Sequence, residues 1–292
     1  MPTITDIKKD REFYKSFSSL IEVLKTIAAS QFHALEKKMK TFAELTTTLE
    51  DFLDGIDLKS LDHPLANPKD LPMGVVVITS DAGLMGGVNY RLMTRASDYY
   101  VNETGGKLII VGQQGQKFVQ GTHISAKIFP GIIDEQMFPQ AQVLCDYILK
   151  EVLAKRLGPV KVIFPYAFSM SSQQMLEWDI LPCPWWRQAC LPAGKEGASF
   201  SSPLTGGGDI LLESTASDIV EHVSSLWIRQ KLFEIFQFSR LAEHAARVIH
   251  LEESSQRIKE IEQKLKLKYF RIHHEIIDQQ MRELFTARSL YA

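Results

Sequence analysis

The stretch SDAGLMGG, residues 80–87, contains the residue types that hold phosphate in many nucleotide-binding proteins. It follows an apolar run, residues 75–79, and leads into a segment with helical spacing. A glycine-rich turn between strand and helix can point backbone amides at a phosphate. Its three glycines, however, match neither G-x-x-x-x-G-K-[ST] nor G-x-G-x-x-G. The spacing favours a tight turn with positive φ angles over a nucleotide site, with Asp81 either capping the turn or contacting a partner.

Other residues with reactive side chains show no catalytic or metal-binding spacing. Cys183 and Cys190 are not arranged as C-x-x-C, which makes ordinary thiols a better interpretation than a zinc site. His273 and His274 are adjacent, so on a helix they point about 100° apart and are not suited to sharing a metal. No G-x-S-x-G motif is present. We therefore expect no catalytic residue, no metal and no cofactor.

Three charged residues have two interpretations each. Glu243 and Arg247 are spaced i, i+4, in the order that favours a pair on a helix surface. They form either this local pair or a contact with a partner protein. Lys25 lies beside an apolar stripe and is either a solvated charge or a residue that faces a partner.

Composition excludes several classes of protein. Of 292 residues, 45% are hydrophobic and 23% charged, as in soluble globular proteins, and the net charge of -2 argues against a nucleic-acid binder. No apolar run reaches the roughly 18–20 residues that span a bilayer. The N-terminus, MPTITDIKKDREFYK, lacks a signal-peptide core, and three cysteines indicate a reducing compartment. We expect a cytosolic protein whose membrane role would come through a partner.

The elements that must position these residues fall into three segments. Apolar residues recur at three- and four-residue steps from residue 4 to 52 and again from near residue 211 to the end, which predicts two long amphipathic helices. Between them, strands at 75–79, 107–112 and 160–164 alternate with helices at 88–102 and about 139–156. The Pro-, Gly- and Ser-rich tail that begins at Trp178 is interpreted as irregular chain.

The predicted fold class is α/β plus long helices. An antiparallel coiled coil of the N- and C-terminal helices carries an inserted small, mostly parallel, Rossmann-like α/β domain. The predicted divisions are 1–57 for the first helix, 58–72 for a linker, 73–208 for the α/β domain and 209–292 for the second helix. Because the second helix is the longer one, we expect part of it to protrude, and an uncovered apolar stripe predicts a larger assembly.

This layout and several local stretches resemble the gamma subunit of F-type ATP synthases. The stretches are VLKTIAAS at 23–30, SDAGLMGGVN at 80–89, LAEHAARV at 241–248 and LKLKYFR at 265–271. The resemblance covers essentially the whole chain in order. Ala82 and Met85 stand where the family usually has Arg and Cys, and residues 273–281 depart from the family pattern, which is typical of a divergent member.

The resemblance implies a non-catalytic central rotor subunit that couples ion-driven rotation, with H⁺ or Na⁺, to ATP synthesis or hydrolysis. It implies partners: a ring of alpha and beta subunits around the helices, and the epsilon subunit and membrane c-ring at the α/β domain. It implies a peripheral position on the cytoplasmic face of a bacterial plasma membrane. The implied partner contacts are Lys25, Asp81, Glu243, Arg247, His273, His274 and Gln280.

Two other functions stay open on the sequence. One is a nucleotide- or metabolite-binding α/β domain on a coiled-coil dimerisation arm. The other is a structural coiled-coil scaffold, which would leave the α/β insert without a clear task. Titration with ATP, ADP and NAD would separate the first of these from a rotor subunit, for which no small-molecule ligand is expected.

Overall fold

The computed structural model describes residues 4–54, 65, 71–102, 106–122, 124–182 and 216–290, with side chains excepted at 40–54, 102, 216–217, 219–220 and 287–290. The chain forms two compact units. One consists of residues up to 30 together with those from 247 onward, and we call it the helix-pair unit. The other consists of residues 31–246, and we call it the α/β unit.

Two long helices contribute to both units. Helix α1 runs over Ile4–Asp54 and helix α5 over Ala216–Leu290. Neither contains proline or glycine, so nothing in the sequence interrupts the backbone hydrogen bonds of either helix. The predicted N-terminal helix is confirmed to within two residues. The C-terminal helix begins at Ala216, and the segment just before it lies outside the described residues.

The α/β unit contains a five-stranded sheet. Strands β1 to β4 are parallel, β5 is antiparallel to β4, and the strand order is β3-β2-β1-β4-β5. The strands are β1 Gly74–Ile78, β2 Lys107–Val111, β3 Ala126–Phe129, β4 Val160–Ser169 and β5 Ser172–Leu181. The helices between them are α2 Val88–Asn102, α3 Gln113–Gln120 and α4 Met137–Leu153. A mostly parallel sheet between helices confirms the predicted class.

Each face of the sheet is covered by helices. In β1, Val75 and Val77 pack with residues of α2, whereas Val76 and Ile78 pack on the other side with residues of α4 and α5. All five residues of β1 are buried. Because both faces of a parallel sheet are covered, its strands read as continuous apolar runs, and this is why the central strands were recognisable in the sequence.

The edges of the sheet differ from the prediction. The predicted irregular tail from Trp178 is wrong for its first residues, because Trp178–Leu181 form the end of β5. Strand β4 also continues to Ser169, beyond the predicted end at 164, and α3 and β3 were not predicted. Strand β5 is an edge strand with one face partly open, so its sequence SQQMLEWDIL mixes polar and apolar residues. The rest of the predicted tail lies outside the described residues.

In the helix-pair unit, α1 and α5 pair antiparallel. Lys8 lies over the ring of Tyr269, with Nζ 5.9 Å from the ring centroid, whereas Lys25 contacts Glu252. As the residue number rises along α1, the partner's number falls along α5. The apolar contacts of this seam centre on Ile21, with Leu251, Ile258 and Tyr14. Among the described residues, no helix combines the length and apolar character that a membrane crossing requires.

Candidate functional site

The loop between β1 and α2 is a tight turn, as its glycines predicted. Leu84, Gly86 and Gly87 have φ angles of 64°, 56° and 85°. Glycine adopts this left-handed region without steric cost, which explains the two adjacent glycines. Gly83 has open space around a Cβ position, so the turn does not require glycine there. Gly86 and Gly87 thus allow the left-handed backbone conformation that the turn requires.

Ser80 and Asn89 close this loop with reciprocal hydrogen bonds. The Ser80 backbone N–H donates to Asn89 Oδ1 at 3.2 Å, and Asn89 Nδ2 donates to Ser80 Oγ at 2.9 Å. Ser80 Oγ in turn donates to the carbonyl of Ala82 at 2.7 Å. Sequence reasoning assigned no role to Asn89. The available signal was an asparagine in the first turn of the helix that follows the glycine-rich loop.

Asp81 caps a helix that the sequence did not reveal. Its Oδ1 accepts a hydrogen bond of 2.8 Å from the backbone N–H of Gln113, the first residue of α3. A Cβ on Gly131 would collide with the Asp81 carboxylate, so this glycine makes room for the cap. The start of α3, a place where an anion could bind, is therefore already occupied by the protein's own carboxylate. Asp81 was expected to cap its own turn or to contact a partner, whereas its carboxylate caps α3; a partner contact stays a prediction.

Lys25 belongs to a polar cluster inside the helix-pair unit. Its Nζ lies 2.6 Å from Glu22 Oε2 and 2.9 Å from Glu252 Oε2, and Ser255 Oγ donates to Glu22 Oε1 at 2.9 Å. Glu22 and Glu252 raise the pKa of Lys25, and Lys25 lowers the pKa of both carboxyls. Ser255 is fully buried. The charge of Lys25 is thus paired within the chain, and Glu252 and Ser255 are the residues of α5 that complete the cluster.

Glu243 is buried in the α/β unit. Its Oε2 accepts a hydrogen bond of 2.7 Å from Arg240 Nη1, and Arg240 Nε donates to Asp134 Oδ1 at 2.6 Å. Only 5% of Glu243 is exposed, so its immediate role is to hold Arg240. Arg247 is partly exposed and begins the part of α5 that belongs to the helix-pair unit. The Glu243–Arg247 pair stays a prediction.

His273, His274 and Gln280 are exposed on the last part of α5. The His273 ring lies 5.8 Å from the ring of Tyr269, measured between centroids. The two histidines and Gln280 therefore remain available to a partner. Within the described part of the chain, no group of three or more His, Cys, Asp or Glu residues is arranged to hold a metal ion.

The cysteines show no exposed reactive thiol among the described residues. Cys145 is fully buried in the α/β unit, and burial raises the pKa of its thiol to about 12. A protonated thiol is a poor nucleophile, so Cys145 serves packing. Cys183 and Cys190 lie outside the described residues.

Both helices of the helix-pair unit carry a second apolar stripe that faces away from the seam. The outer stripe of α1 consists of Phe13, Phe17, Leu20, Leu24 and Ile27, which are 36–63% exposed. The outer stripe of α5 consists of Leu267, Phe270, Ile277, Met281 and Leu284, which are 41–70% exposed, with His274 between its second and third members. Both follow the three- and four-residue spacing of a helix-packing surface. Stripes of this size mark contact surfaces for other proteins.

The α5 stripe is more than an extension of the seam beyond the end of α1. Leu267 is 70% exposed although the neighbouring Tyr269 is still covered by Lys8 of α1. The helix therefore has two apolar faces at this level. A sheet-containing unit together with a helix pair that carries exposed apolar stripes is typical of subunits that function inside a larger assembly.

Comparison with known proteins agrees with this class. A family model described as ATP synthase matches residues 3–289. The chain is 22% identical over 294 residues to the ATP synthase gamma chain of Trichlorobacter lovleyi, with 98% of both covered. It is 22% identical over 286 residues to that of Clostridium perfringens, covering 96% of this chain and 95% of the relative.

Two solved structures share the fold. One comes from the OSCP/F1/c-ring part of the mitochondrial ATP synthase of Euglena gracilis, with a TM-score of 0.70, 16% identity and coverage of 98% of this chain and 93% of that one. The other is from the central stalk and c-ring of the Tetrahymena thermophila enzyme, with a TM-score of 0.57, 17% identity and coverage of 81% and 99%. The chain belongs to the ATP synthase family, as a gamma subunit. The expected non-catalytic stalk role is confirmed.

Proposed function

We propose that the helix pair is enclosed by a ring of alpha and beta subunits, whereas the α/β unit contacts the epsilon subunit and the membrane c-ring. The observation that carries this proposal is the pair of outer stripes, which leave large apolar side chains in water. Burying a Leu or Phe side chain contributes about 1.5–3 kcal/mol. Partner subunits packed around the helices would bury these side chains. One solved neighbour comes from an assembly that includes F1 and the c-ring, which supports the same partners.

Rotation of an asymmetric helix pair would act on the ring through differential contact. Each side of the pair offers different chemistry: an outer stripe in one direction and charged residues such as Lys15 and Arg257 in others. Identical partner sites that face different sides of the pair would therefore have different free energies. A turn of the helix pair would move each partner site through these states in order, which would couple rotation to ATP synthesis or hydrolysis in the partners.

The candidate contact residues divide into two groups. Arg247, His273, His274 and Gln280 have exposed or partly exposed side chains, and we propose them as direct contacts. Lys25, Asp81 and Glu243 are engaged within the chain, and we propose that they hold the shape of the surfaces beside them. The division into a first helix (1–57), a linker (58–72), an α/β domain (73–208) and a second helix (209–292) is part of the same proposal.

We place the assembled protein at the cytoplasmic face of a bacterial plasma membrane, held there by its partners. Support comes from the relatives, which are gamma chains of bacteria such as Trichlorobacter lovleyi and Clostridium perfringens. Fractionation of cells after a salt wash would test this location. Retention of the protein in the membrane fraction only while its partner subunits were present would agree with this location.

Co-assembly tests the role of the outer stripe directly. The double variant Leu20→Gln/Leu24→Gln should weaken binding to alpha and beta subunits at least 10-fold, because each removed apolar contact contributes over 1 kcal/mol. The control Val101→Gln/Val143→Gln changes two apolar residues of the α/β unit that are 76% and 58% exposed, against 52% and 36% for Leu20 and Leu24, and should assemble normally. Unchanged assembly of the Leu20/Leu24 variant would contradict the proposal.

The chain by itself should neither hydrolyse ATP nor bind nucleotide. Calorimetric titration of the purified chain with ATP, ADP and NAD should give no heat of binding. Micromolar binding that was lost on changing the 80–89 loop would instead support a metabolite-binding domain on a dimerisation arm.

A further inference from the structure

The apolar contacts inside the helix-pair unit do not by themselves define the register of α1 against α5. On α1 the buried residues Ile7, Ile21 and Ala28 lie at multiples of seven residues, with Tyr14 completing the row. On α5 the matching row is Leu251, Ile258, Leu265 and Ile272, again seven apart. Sliding one helix by seven residues would bring apolar residues against apolar residues again. A helix pair whose apolar residues recur every seven positions needs an additional interaction to select one register.

A polar layer interrupts this repeat at one level of the pair. We define the polar layer as Glu22 and Lys25 of α1 with Glu252 and Ser255 of α5. Lys25 Nζ donates to Glu252 Oε2, and Ser255 Oγ donates to Glu22 Oε1, each at 2.9 Å. Each bond joins one helix to the other. Ser255 is completely buried, so its hydroxyl depends on Glu22 for a partner.

Both slipped registers break the polar layer. If α1 moved so that each residue faced a position seven further along α5, Lys25 would meet Lys259 and Glu22 would meet Glu262. The exposed contact of Glu22 with Lys259 would be replaced by one with Lys266. In the opposite direction Glu22 would face Val248 and Glu252. Each slip therefore opposes like charges and leaves the buried Ser255 hydroxyl without its carboxylate.

We propose that the polar layer selects the axial register of α1 against α5 and so decides which residues form the outer face of the pair at each level. Ser255 is fully buried, whereas the side chains of Lys25, Glu22 and Glu252 are 25–44% exposed. A polar contact in a coiled-coil seam can select one register at a cost in stability. The layer is thus a specificity determinant of the pairing. It acts in the chain alone, so the proposal does not depend on the rotor function.

The test measures register as a distance. Spin labels at Ser19→Cys and Asp278→Cys, with the three native cysteines replaced, lie on different helices and at different heights along the pair. A slip of seven residues changes their axial separation by about 10 Å, at 1.5 Å per residue. Phe32 packs with Leu241 in the α/β unit and also aligns the two helices, so the background carries Phe32→Ala and Leu241→Ala.

In this background the chain should keep a single native distance, because the polar layer is intact. Adding Lys25→Glu should produce a population about 10 Å shorter, since the introduced carboxylate would be repelled by Glu252 and attracted by Lys259. Adding Glu252→Lys as well should restore the native distance. The matched control Ile21→Ala weakens the seam without changing a charge, and its distance should not move. An unchanged distance in the Lys25→Glu variant, or a shift in the background alone, would overturn the proposal.

A second variant covers the case in which Lys25→Glu fails to fold. Replacing all four residues of the polar layer by leucine makes the seam continuously apolar. This variant should unfold at a higher temperature than the background, yet show more than one distance between the labels. A single native distance in the all-leucine variant would also overturn the proposal.

Discussion

The α/β unit and the helix-pair unit are stabilised in different ways. The sheet of the α/β unit has a fully buried apolar core on each face, with residues such as Ile109 and Phe164 completely inaccessible. The helix-pair unit has one narrow seam, crossed by the polar layer and flanked by exposed outer stripes. Dense packing lets the first unit determine its own shape. The second relies on polar contacts for its register, and we propose that it relies on partners to cover its apolar surface.

The largest expected effect comes from the core of the α/β unit. Phe164→Ala removes a fully buried ring that contacts Trp178, with centroids 5.1 Å apart, and should lower the free energy of unfolding by about 3–5 kcal/mol. The control Phe168→Ala removes a ring that is 59% exposed and should cost less than about 1 kcal/mol. Urea unfolding followed by tryptophan fluorescence measures both. Similar losses in the two variants would show that the core is less closely packed than described.

The next effect concerns a buried carboxylate at the edge of the α/β unit. Glu151 is held by Arg156 at 2.7 Å and Lys107 at 2.5 Å, and these hydrogen bonds lower its pKa to about 2. Glu151→Gln should destabilise the protein by about 1–3 kcal/mol near neutral pH. Since the folded pKa lies below the ordinary value of 4.5, the advantage of the native residue is complete above that value and is lost as the pH falls through about 2.

Unfolding free energies measured from pH 7 to pH 2 should therefore converge for the native protein and Glu151→Gln as the pH falls. Glu135 is exposed, so Glu135→Gln is the control, and its free energy of unfolding should stay close to that of the native protein at every pH. A gap between native protein and Glu151→Gln that widened in acid would contradict the assigned ion pairs.

The smallest expected loss of stability comes from changing Asp81, in the 80–87 loop of the α/β unit. Asp81→Ala removes the cap of α3 and should cost about 0.5–2 kcal/mol. Gly131→Ala should cost more in the native background than in Asp81→Ala, because the three atoms nearest to its new methyl group all belong to the Asp81 carboxylate. A double-mutant cycle should give a coupling of about 1 kcal/mol. The control Gly83→Ala should change stability by less than about 0.5 kcal/mol, and additive effects at 81 and 131 would disprove the contact.

Sequence reasoning succeeded where a pattern repeats over many residues. The continuous stripe of α1 and the apolar runs of β1 and β2 were predicted with nearly their observed ends. Sequence reasoning failed for elements that lack a repeating pattern and for contacts between residues that are far apart in the chain. The last four residues of β5, Trp178–Leu181, were assigned to an irregular tail because a Pro-, Gly- and Ser-rich stretch follows them directly in the chain. Lys25 was interpreted as a solvated charge or a partner contact, because Glu252, with which it pairs, is 227 residues away.

The candidate site was predicted in the same uneven way. Positive φ angles in the glycine-rich turn follow from residue type alone, so the turn was correctly expected. The role of Asp81 as the cap of α3 could not be predicted, because α3 itself carries no clear sequence signal and the contact spans 32 residues. The buried state of Glu243 was likewise hidden, since it depends on Arg240 and Asp134 meeting in space.

The amino-acid sequence by itself determined the two long helices, the central strands, the family and the absence of a phosphate-binding glycine pattern in the 80–87 loop. Helical period, apolar runs and glycine positions are local properties, and local properties can be read along one chain. Only the tertiary structure decided that Asp81 caps α3 and that Lys25 joins α1 to Glu252 of α5. These assignments depend on distances between residues far apart in the chain, which packing sets and periodicity does not encode.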